Sequence, residues 1–261
     1  MNSTLSVFAG ACRYEWRMQI RRPALWITFL IVELLIVGVM VRVTNGFDSF
    51  LHLERYPVLQ SVVYWTNIVN YLLPVIAGIL IADRLPRDRR TNMHELLATF
   101  PSSQMARLTG KFLGNVLATG VPIVLFYLFG CAVILVETRN LLVLPLAIET
   151  FATIVLPGLL FVGAFSMALP ALLWVPLYQF LFLAYWFWGN IYVPRNIPTI
   201  STTLLTPAGG YMSRGFFGMT LFPVAHATAA QGVESLLLLL VITWLVMLTL
   251  NAYLRWQQDR Q

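Results

Sequence analysis

The amino-acid sequence predicts an all-α polytopic membrane protein, and three properties of its composition carry this prediction. Hydrophobic residues make up 59% of the 261 residues, whereas soluble domains contain roughly 45–50%. Charged residues make up 11%, where about 25% is usual, and the mean hydropathy is +0.76. Such a chain has too few polar side chains to cover a soluble domain. It is also too hydrophobic to be disordered.

The chain begins with a basic amphipathic stretch over residues 7–22. Its arginines recur every four residues on a face separate from the apolar side chains, and a tryptophan lies among them. Helices of this composition lie in the headgroup plane of a membrane, so we predict an interfacial helix that Pro23 ends. The residues assigned to this membrane contact are Arg13, Trp16, Arg17 and Arg21.

Six apolar segments follow, each near the length of about 20 residues that a spanning helix needs. The predicted spans cover residues 24–41, 62–82, 112–136, 144–167, 172–189 and 235–253. With the N-terminus placed in the cytoplasm, 12 of the 17 basic residues fall on inner segments, as the positive-inside rule requires. Both termini are therefore predicted to be cytoplasmic. If residues 144–189 formed one re-entrant element, the C-terminus would lie outside.

The segment between the fifth and sixth predicted spans, residues 190–232, is apolar and rich in glycine and proline. Irregular backbone at membrane depth is tolerated only where protein or a water-filled cavity covers it. We therefore predict a re-entrant outer loop whose short helices pack back against the bundle. A plain surface loop is the alternative interpretation.

The longest hydrophilic stretch, residues 83–111, contains the pattern of a short amphipathic helix. Asn92 and Glu95 have the spacing of a capping box at its start, and Pro101 ends it. The apolar residues of this helix follow a spacing of i, i+3, i+4 and i+7 and are Met93, Leu96, Leu97 and Phe100. Such a helix either lies on the membrane or contacts a partner protein.

A stripe of small residues marks the entrance to the third span. Gly110, Gly114 and Ala118 are four residues apart and share one helix face. Small residues at this spacing let two helix backbones approach closely in a membrane protein. We therefore expect another helix to pack against this face.

Two stretches of the loop, Glu95–Pro101 and Leu108–Gly114, resemble ABC type-2 transporter permeases, as does the basic helix before the first span. The resemblance covers most of the chain, so residues 1–261 are interpreted as a single ABC type-2 transmembrane domain. In that family the helix between the second and third spans is a coupling helix that inserts into a separate ATPase. The resemblance implies contacts with the ATPase at Arg87, Arg90, Met93, Glu95, Leu97, Phe100, Pro101 and Arg107.

The resemblance also implies partners and a location. The chain would act as the permease of an exporter, since the family consists mainly of exporters, and would pair with a second copy or a homologous permease. It would lie in the plasma membrane, here the bacterial cytoplasmic membrane. A phosphate-binding loop is absent, because Gly110-Lys111 is followed by Phe112 and Met105 stands where the first glycine belongs. We therefore expect no cofactor in this chain and no enzymatic activity, with ATP and magnesium held by the partner ATPase.

Polar residues within the predicted spans suggest a substrate pathway. Glu33 lies in the middle of the first span, where an ionised acid costs roughly 2.5–3.5 kcal/mol. Glu149, Asn70 and Tyr127 add polar groups at other depths. Interhelical hydrogen bonding is the alternative role for all of these side chains.

Other functional classes fit less well. A proton- or ion-coupled secondary transporter would show internal repeats, and none is evident. A membrane anchor without transport shares every feature described so far. An intramembrane hydrolase is disfavoured by the spacing around Ser166 and His226, and a metal site by the separation of Cys12 and Cys131. The excess of basic over acidic residues is better explained by contact with lipid headgroups than by binding of nucleic acid.

Overall fold

The computed structural model describes residues 2–44, 57–90, 103–191 and 199–258. These residues are almost entirely helical and contain no β-strand. Together with the long apolar helices described below, this confirms an all-α polytopic membrane protein.

Ten α-helices account for most of the described residues. They are α1 (Asn2–Ile20), α2 (Pro23–Thr44), α3 (Val58–Ile81), α4 (Arg84–Arg90), α5 (Gln104–Thr138), α6 (Val143–Thr150), α7 (Leu156–Ala168), α8 (Val175–Trp186), α9 (Gly210–Phe217) and α10 (Ala229–Gln258). A π-turn at Phe151–Val155 joins α6 to α7, and a second one at Phe187–Ile191 extends α8. The first π-turn precedes Pro157, which has no N–H to donate to the carbonyl of Thr153 in an α-helical ladder.

The predicted count of six spans is not confirmed. Among the described residues, four helical runs are long and apolar enough to cross a membrane: Val58–Asp88, Gln104–Thr138, Val143–Ala171 and Ala229–Gln258. α1 and α2 pass the same test only together, and their axes meet at 61°. The fifth predicted span does not pass this test among the described residues, because α8 has 12 residues and its π-turn adds five.

The helix that uses the stripe of small residues is α1. A Cβ placed on Gly110 would lie 2.6 Å from the Phe8 carbonyl oxygen, and one on Gly114 would lie 2.5 Å from the Cys12 carbonyl oxygen. Real side chains do not approach backbone atoms this closely. Glycine at these positions therefore allows the backbones of α1 and α5 to touch, as the stripe predicts.

The centre of the bundle is α3, which is buried over most of its length. It packs against α5 and α7, and Trp65 donates a hydrogen bond of 2.9 Å to the Tyr127 carbonyl across the α3–α5 contact. The outer segment also packs back onto the bundle, because α9 contacts both α10 and α3. α3 thus contacts both the long helix α5 and the outer segment.

Apolar side chains remain exposed on the outside of the bundle, as expected for helices that face lipid. On α2 they include Ile27, Leu30 and Leu34, and on α10 they include Trp244 and Leu245. α10 is the least covered of the candidate spans, with 28% of its apolar window buried. Lipid or a second protein must therefore cover these faces.

Candidate functional site

A cluster of charged and polar side chains lies where the loop 83–111 leaves and re-enters the bundle. Lys111 Nζ lies 3.3 Å from Glu15 Oε1 and also forms an ion pair with Asp88. Asn115 Nδ2 donates a hydrogen bond of 3.1 Å to Glu15 Oε2. Lys111 therefore joins α5 to α1 and to α4 at once. The residues of this loop-base cluster are Glu15, Gln19, Arg84, Asp88, Lys111 and Asn115.

Most of the loop-base cluster is buried although it is charged, and Lys111 and Asp88 are partly buried. Arg84 is 2% exposed and donates a hydrogen bond to Gln19 Oε1, and Glu15 is 3% exposed. Glu15 and Gln19 are four residues apart and so share one face of α1, which the arginines at 13, 17 and 21 do not occupy. Buried charges persist only where partners compensate them, so these pairs hold the three helices in a defined arrangement.

The same cluster fixes both ends of the segment that carries the predicted coupling helix. The Lys111–Asp88 ion pair joins positions 23 residues apart in sequence, one before and one after this segment. Lys111 also binds Glu15 on α1. A displacement of the segment would therefore act on α1, α4 and α5 together.

The predicted ATPase contacts fall mostly outside the described residues. Arg87 is exposed on α4, and Arg107 is half-buried near the start of α5. Arg90 ends α4, and its side chain lies outside the described part of the chain. The remaining predicted contacts also lie outside it and are Met93, Glu95, Leu97, Phe100 and Pro101. Their role stays a prediction.

The predicted membrane-contact residues lie on the free side of α1. Arg13, Arg17 and Arg21 are exposed, and Trp16 is half-buried. This arrangement leaves the basic face available to headgroups while the opposite face packs on α5. Contact with the membrane stays a prediction.

Two of the predicted pathway residues hold the bundle together. Tyr127 lies 2.8 Å from Thr150 Oγ1 and donates a hydrogen bond of 2.9 Å to the Ala147 carbonyl, joining α5 to α6. Asn70 Nδ2 donates a hydrogen bond of 2.7 Å to the Ala208 carbonyl of the outer segment. Asn67, on the same face of α3, donates one of 2.8 Å to Ser213 Oγ.

The other two pathway residues are placed differently. Glu33 is half-buried, and its Oε1 has no hydrogen-bond partner among the described residues. Glu149 is exposed, whereas its neighbour Thr150 points into the Tyr127 network. The structure therefore does not gather the four predicted pathway residues around one space, and a transport role for them stays a prediction.

An apolar cavity of about 410 Å³ lies elsewhere, among α7, α8, α10 and the outer segment. This volume is within the range of small-molecule sites. Its wall includes Phe161, Phe165, Leu169, Tyr178, Phe182, Tyr185, Leu205 and Ile242. The Tyr178 hydroxyl is already within 2.7 Å of Ser166 Oγ, so the cavity offers mainly hydrocarbon surface. Tyr178 and Phe182 are four residues apart and therefore lie on one face of α8. This spacing is the pattern in the sequence that could have predicted this part of the cavity wall.

Replacing Asn70 with leucine is expected to loosen the outer segment. The Ala208 carbonyl would lose its donor inside the protein, at a cost of about 1–3 kcal/mol. Trypsin would then cleave faster after Arg214, by roughly five- to 150-fold if local opening limits cleavage. Limited proteolysis of the purified chain, read by mass spectrometry of the new termini, measures this rate.

Asn251→Leu is the control for this measurement. Asn251 is a buried asparagine on α10 whose Oδ1 has no hydrogen-bond partner among the described residues. Cleavage after Arg214 should be unchanged in this variant. Equal protection of Arg214 in the Asn70→Leu variant and the wild type would show that the Asn70 hydrogen bond does not hold the outer segment.

The sequence profile of the family described as ABC-2 family transporter protein matches residues 12–174, which is more than half of the chain. The matched region runs from α1 through the end of α7 and includes the whole loop-base cluster. No curated protein matches the chain significantly.

Proposed function

Because the chain belongs to the ABC-2 transporter family and is a membrane permease of an ABC transporter, we propose that it forms half of a dimeric exporter. Membrane domains of this family are transport components rather than ATPases, and they typically work with an ABC ATPase. The proposed exporter therefore contains a separate ATPase, which binds ATP and magnesium. The second half is another copy of this chain or a homologous permease.

The loop-base cluster is the observation that supports this proposal most directly. An ATPase that moved a coupling helix within residues 91–102 would need a stiff connection from that helix to the spans. The Lys111–Asp88 and Lys111–Glu15 ion pairs supply this connection at both ends of the loop. The force would enter α5, whose 35 residues reach from the loop across the bundle.

In the proposed mechanism, closure of two ATPases on ATP draws the coupling helices of the dimer together. Each loop-base cluster then carries its α1, α4 and α5 as one body, a rigid-body transition of the kind found in other switching proteins. The apolar faces of α2 and α10 are available for lipid and for the second permease. The spans would alternate between states open to opposite sides of the membrane.

The location and direction of transport follow from the resemblance and from the charge distribution. We place the permease in the bacterial cytoplasmic membrane with both termini inside, because most basic residues then lie on inner segments. The loop 83–111 is cytoplasmic in this orientation and can reach an ATPase. Export is proposed because exporters predominate in the family.

Replacing Phe100 with alanine is expected to release the ATPase. Buried aromatic anchors at protein interfaces lose at least about 2 kcal/mol on truncation to alanine, which is roughly a 30-fold loss of affinity. The tagged chain would be purified in mild detergent from its native membrane. The recovered ATPase subunit and the ATP hydrolysis of the eluate would be measured for Phe100→Ala, Met93→Ala and the wild type.

Leu221→Ala is the matched control, since Leu221 is an exposed apolar residue of the outer segment. This variant should recover as much ATPase as the wild type does. If the wild type were recovered alone and without ATP hydrolysis, the exporter proposal would fail. A proton- or ion-coupled secondary transporter would then be the better interpretation, with Glu33 and Glu149 as the residues to replace next.

A further inference from the structure

Two arginines beside the loop-base cluster have buried nitrogen atoms that lack hydrogen-bond acceptors. Arg84 Nη2 binds Gln19, but Arg84 Nε and Nη1 are buried and have no hydrogen-bond partner among the described residues. Arg22 Nη2 is in the same condition. Arginine stays charged in proteins, and a buried guanidinium without an acceptor is strongly unfavourable. These atoms therefore indicate an anion that the described residues do not supply.

The nearby carboxylates do not accept hydrogen bonds from these nitrogen atoms. Glu15 and Asp83 lie close enough to act electrostatically on both Arg22 and Arg84. However, the carboxylate oxygens of Glu15 bind Lys111 and Asn115, and neither Glu15 nor Asp83 accepts a hydrogen bond from Arg84 Nε, Arg84 Nη1 or Arg22 Nη2. Burial lowers the pKa of the Arg22 guanidinium, and the neighbouring positive charge of Arg87 lowers it further. Arg22, Arg84 and Arg87 therefore lie close enough to repel one another between α4 and the junction of α1 with α2.

The position of these arginines indicates which kind of anion would reach them. Arg22 lies just before α2, whose exposed apolar face begins within five residues at Trp26 and Ile27. Arg84 lies three residues after the end of α3. The Trp26 indole N–H donates a hydrogen bond of 2.8 Å to the Ile20 carbonyl, so the polar edge of this ring faces the end of α1. With α2 in the membrane, both guanidinium groups would lie near headgroup level and next to hydrocarbon.

We propose that Arg22 and Arg84, with Arg87 at the rim, form a site for the phosphate group of an anionic phospholipid. A guanidinium presents a fork of donors that matches phosphate oxygens in a bidentate arrangement. Basic pockets between membrane helices bind anionic headgroups in this way. The acyl chains of the lipid would lie along Ile27 and Leu30 of α2. A soluble phosphate could use the same donors but would gain nothing from this apolar face.

Lipid titration of the purified chain in detergent tests this proposal. The chain would be titrated with phosphatidylglycerol, with phosphatidylcholine at the same concentrations, and with inorganic phosphate. The thermal unfolding midpoint and the lipid retained in native mass spectrometry would be recorded. Phosphatidylglycerol should raise the midpoint and remain bound, and the other two probes should do neither. Arg84→Gln and Arg22→Gln should each weaken phosphatidylglycerol binding by about tenfold or more.

Arg255→Gln is the control, because Arg255 is an exposed arginine on α10, a helix that contributes no residue to the proposed site. It should retain the full effect of phosphatidylglycerol. Arg84→Lys keeps the charge but not the fork, and should bind with intermediate affinity. If Arg84→Gln does not fold, Arg22→Gln alone decides the result.

Three outcomes would overturn the proposal. Equal stabilisation by inorganic phosphate would make the ligand a soluble anion. Equal effects of phosphatidylglycerol and phosphatidylcholine, or equal losses in Arg255→Gln and Arg22→Gln, would show that this site does not exist. A lack of lipid effect together with destabilisation by Glu95→Gln would identify a carboxylate of the chain as the acceptor.

Discussion

Replacing Lys111 with methionine is expected to destabilise the protein by about 3–5 kcal/mol, because the change removes the partner of the buried Glu15 carboxylate. Glu15 and Asp88 both pair with this ammonium group, and the side chain of Glu15 is almost fully buried. Methionine fills a similar volume, so the loss would come from uncompensated charge rather than from a cavity. Chemical unfolding of the purified chain in detergent, followed by tryptophan fluorescence, measures the free energy change.

The double variant Lys111→Met/Glu15→Gln separates charge from packing. Glutamine keeps the shape of Glu15 and its contact with Asn115 but carries no charge, so part of the lost stability should return. Arg17→Met, an exposed change on the same helix, should alter stability by less than about 0.5 kcal/mol. If Lys111→Met behaved like Arg17→Met, the loop-base cluster would not fix the loop, and the main support for the exporter proposal would be lost.

The fold class could be predicted from the sequence because apolar content and helical periodicity are local properties. The number of spans could not, because hydropathy counts apolar residues without testing helix continuity. Residues 172–189 contain no charged residue, yet the helix there begins only at Val175 and leaves the α-helical ladder at Phe187. Pro23 does predict a break between α1 and α2, but the sequence does not predict that their axes meet at 61°.

The candidate site was predictable in part. The stripe of Gly110 and Gly114 indicates a close helix contact, but its spacing does not say which helix fills it. The polar residues Glu15 and Gln19 lie at i and i+4, a signal of a second functional face on α1. Their partners, Lys111 and Arg84, are at least 65 residues away in sequence, and no local pattern specifies pairing over that distance.

Replacing Gly114 with leucine is expected to separate α1 from α5. A Cβ at this position would lie 2.5 Å from the Cys12 carbonyl oxygen and 2.9 Å from Glu15 Cβ, and the backbone cannot move aside without moving the whole helix. Overpacking of this kind costs about 1–3 kcal/mol. The Glu15 contact with Lys111 would weaken as well, so the loss of stability should reach about 3 kcal/mol or more.

Cys12 reports this separation directly, because it is a free, half-buried cysteine on α1 at the contact. Burial raises the pKa of its thiol, so less reactive thiolate is present while α1 is packed. Displacing α1 would expose the thiol, lower its pKa toward the ordinary value and speed labelling by a maleimide at neutral pH. A Cys131→Ala background removes the second thiol from this measurement.

Replacing either of two glycines on α5 with alanine is the same chemical change, but we expect opposite effects on the stability of the protein. Alanine favours a helix over glycine by up to about 1 kcal/mol. At Gly120 a Cβ would make an ordinary contact of 3.5 Å with Leu159, so Gly120→Ala should be neutral or stabilising. At Gly114 the same methyl group would overlap the α1 backbone, so Gly114→Ala should destabilise the protein and speed Cys12 labelling. Equal stability of the two variants would mean that α1 does not pack on this stripe. The buried Glu15–Lys111 pair, which depends on that contact, would then lack its geometric basis.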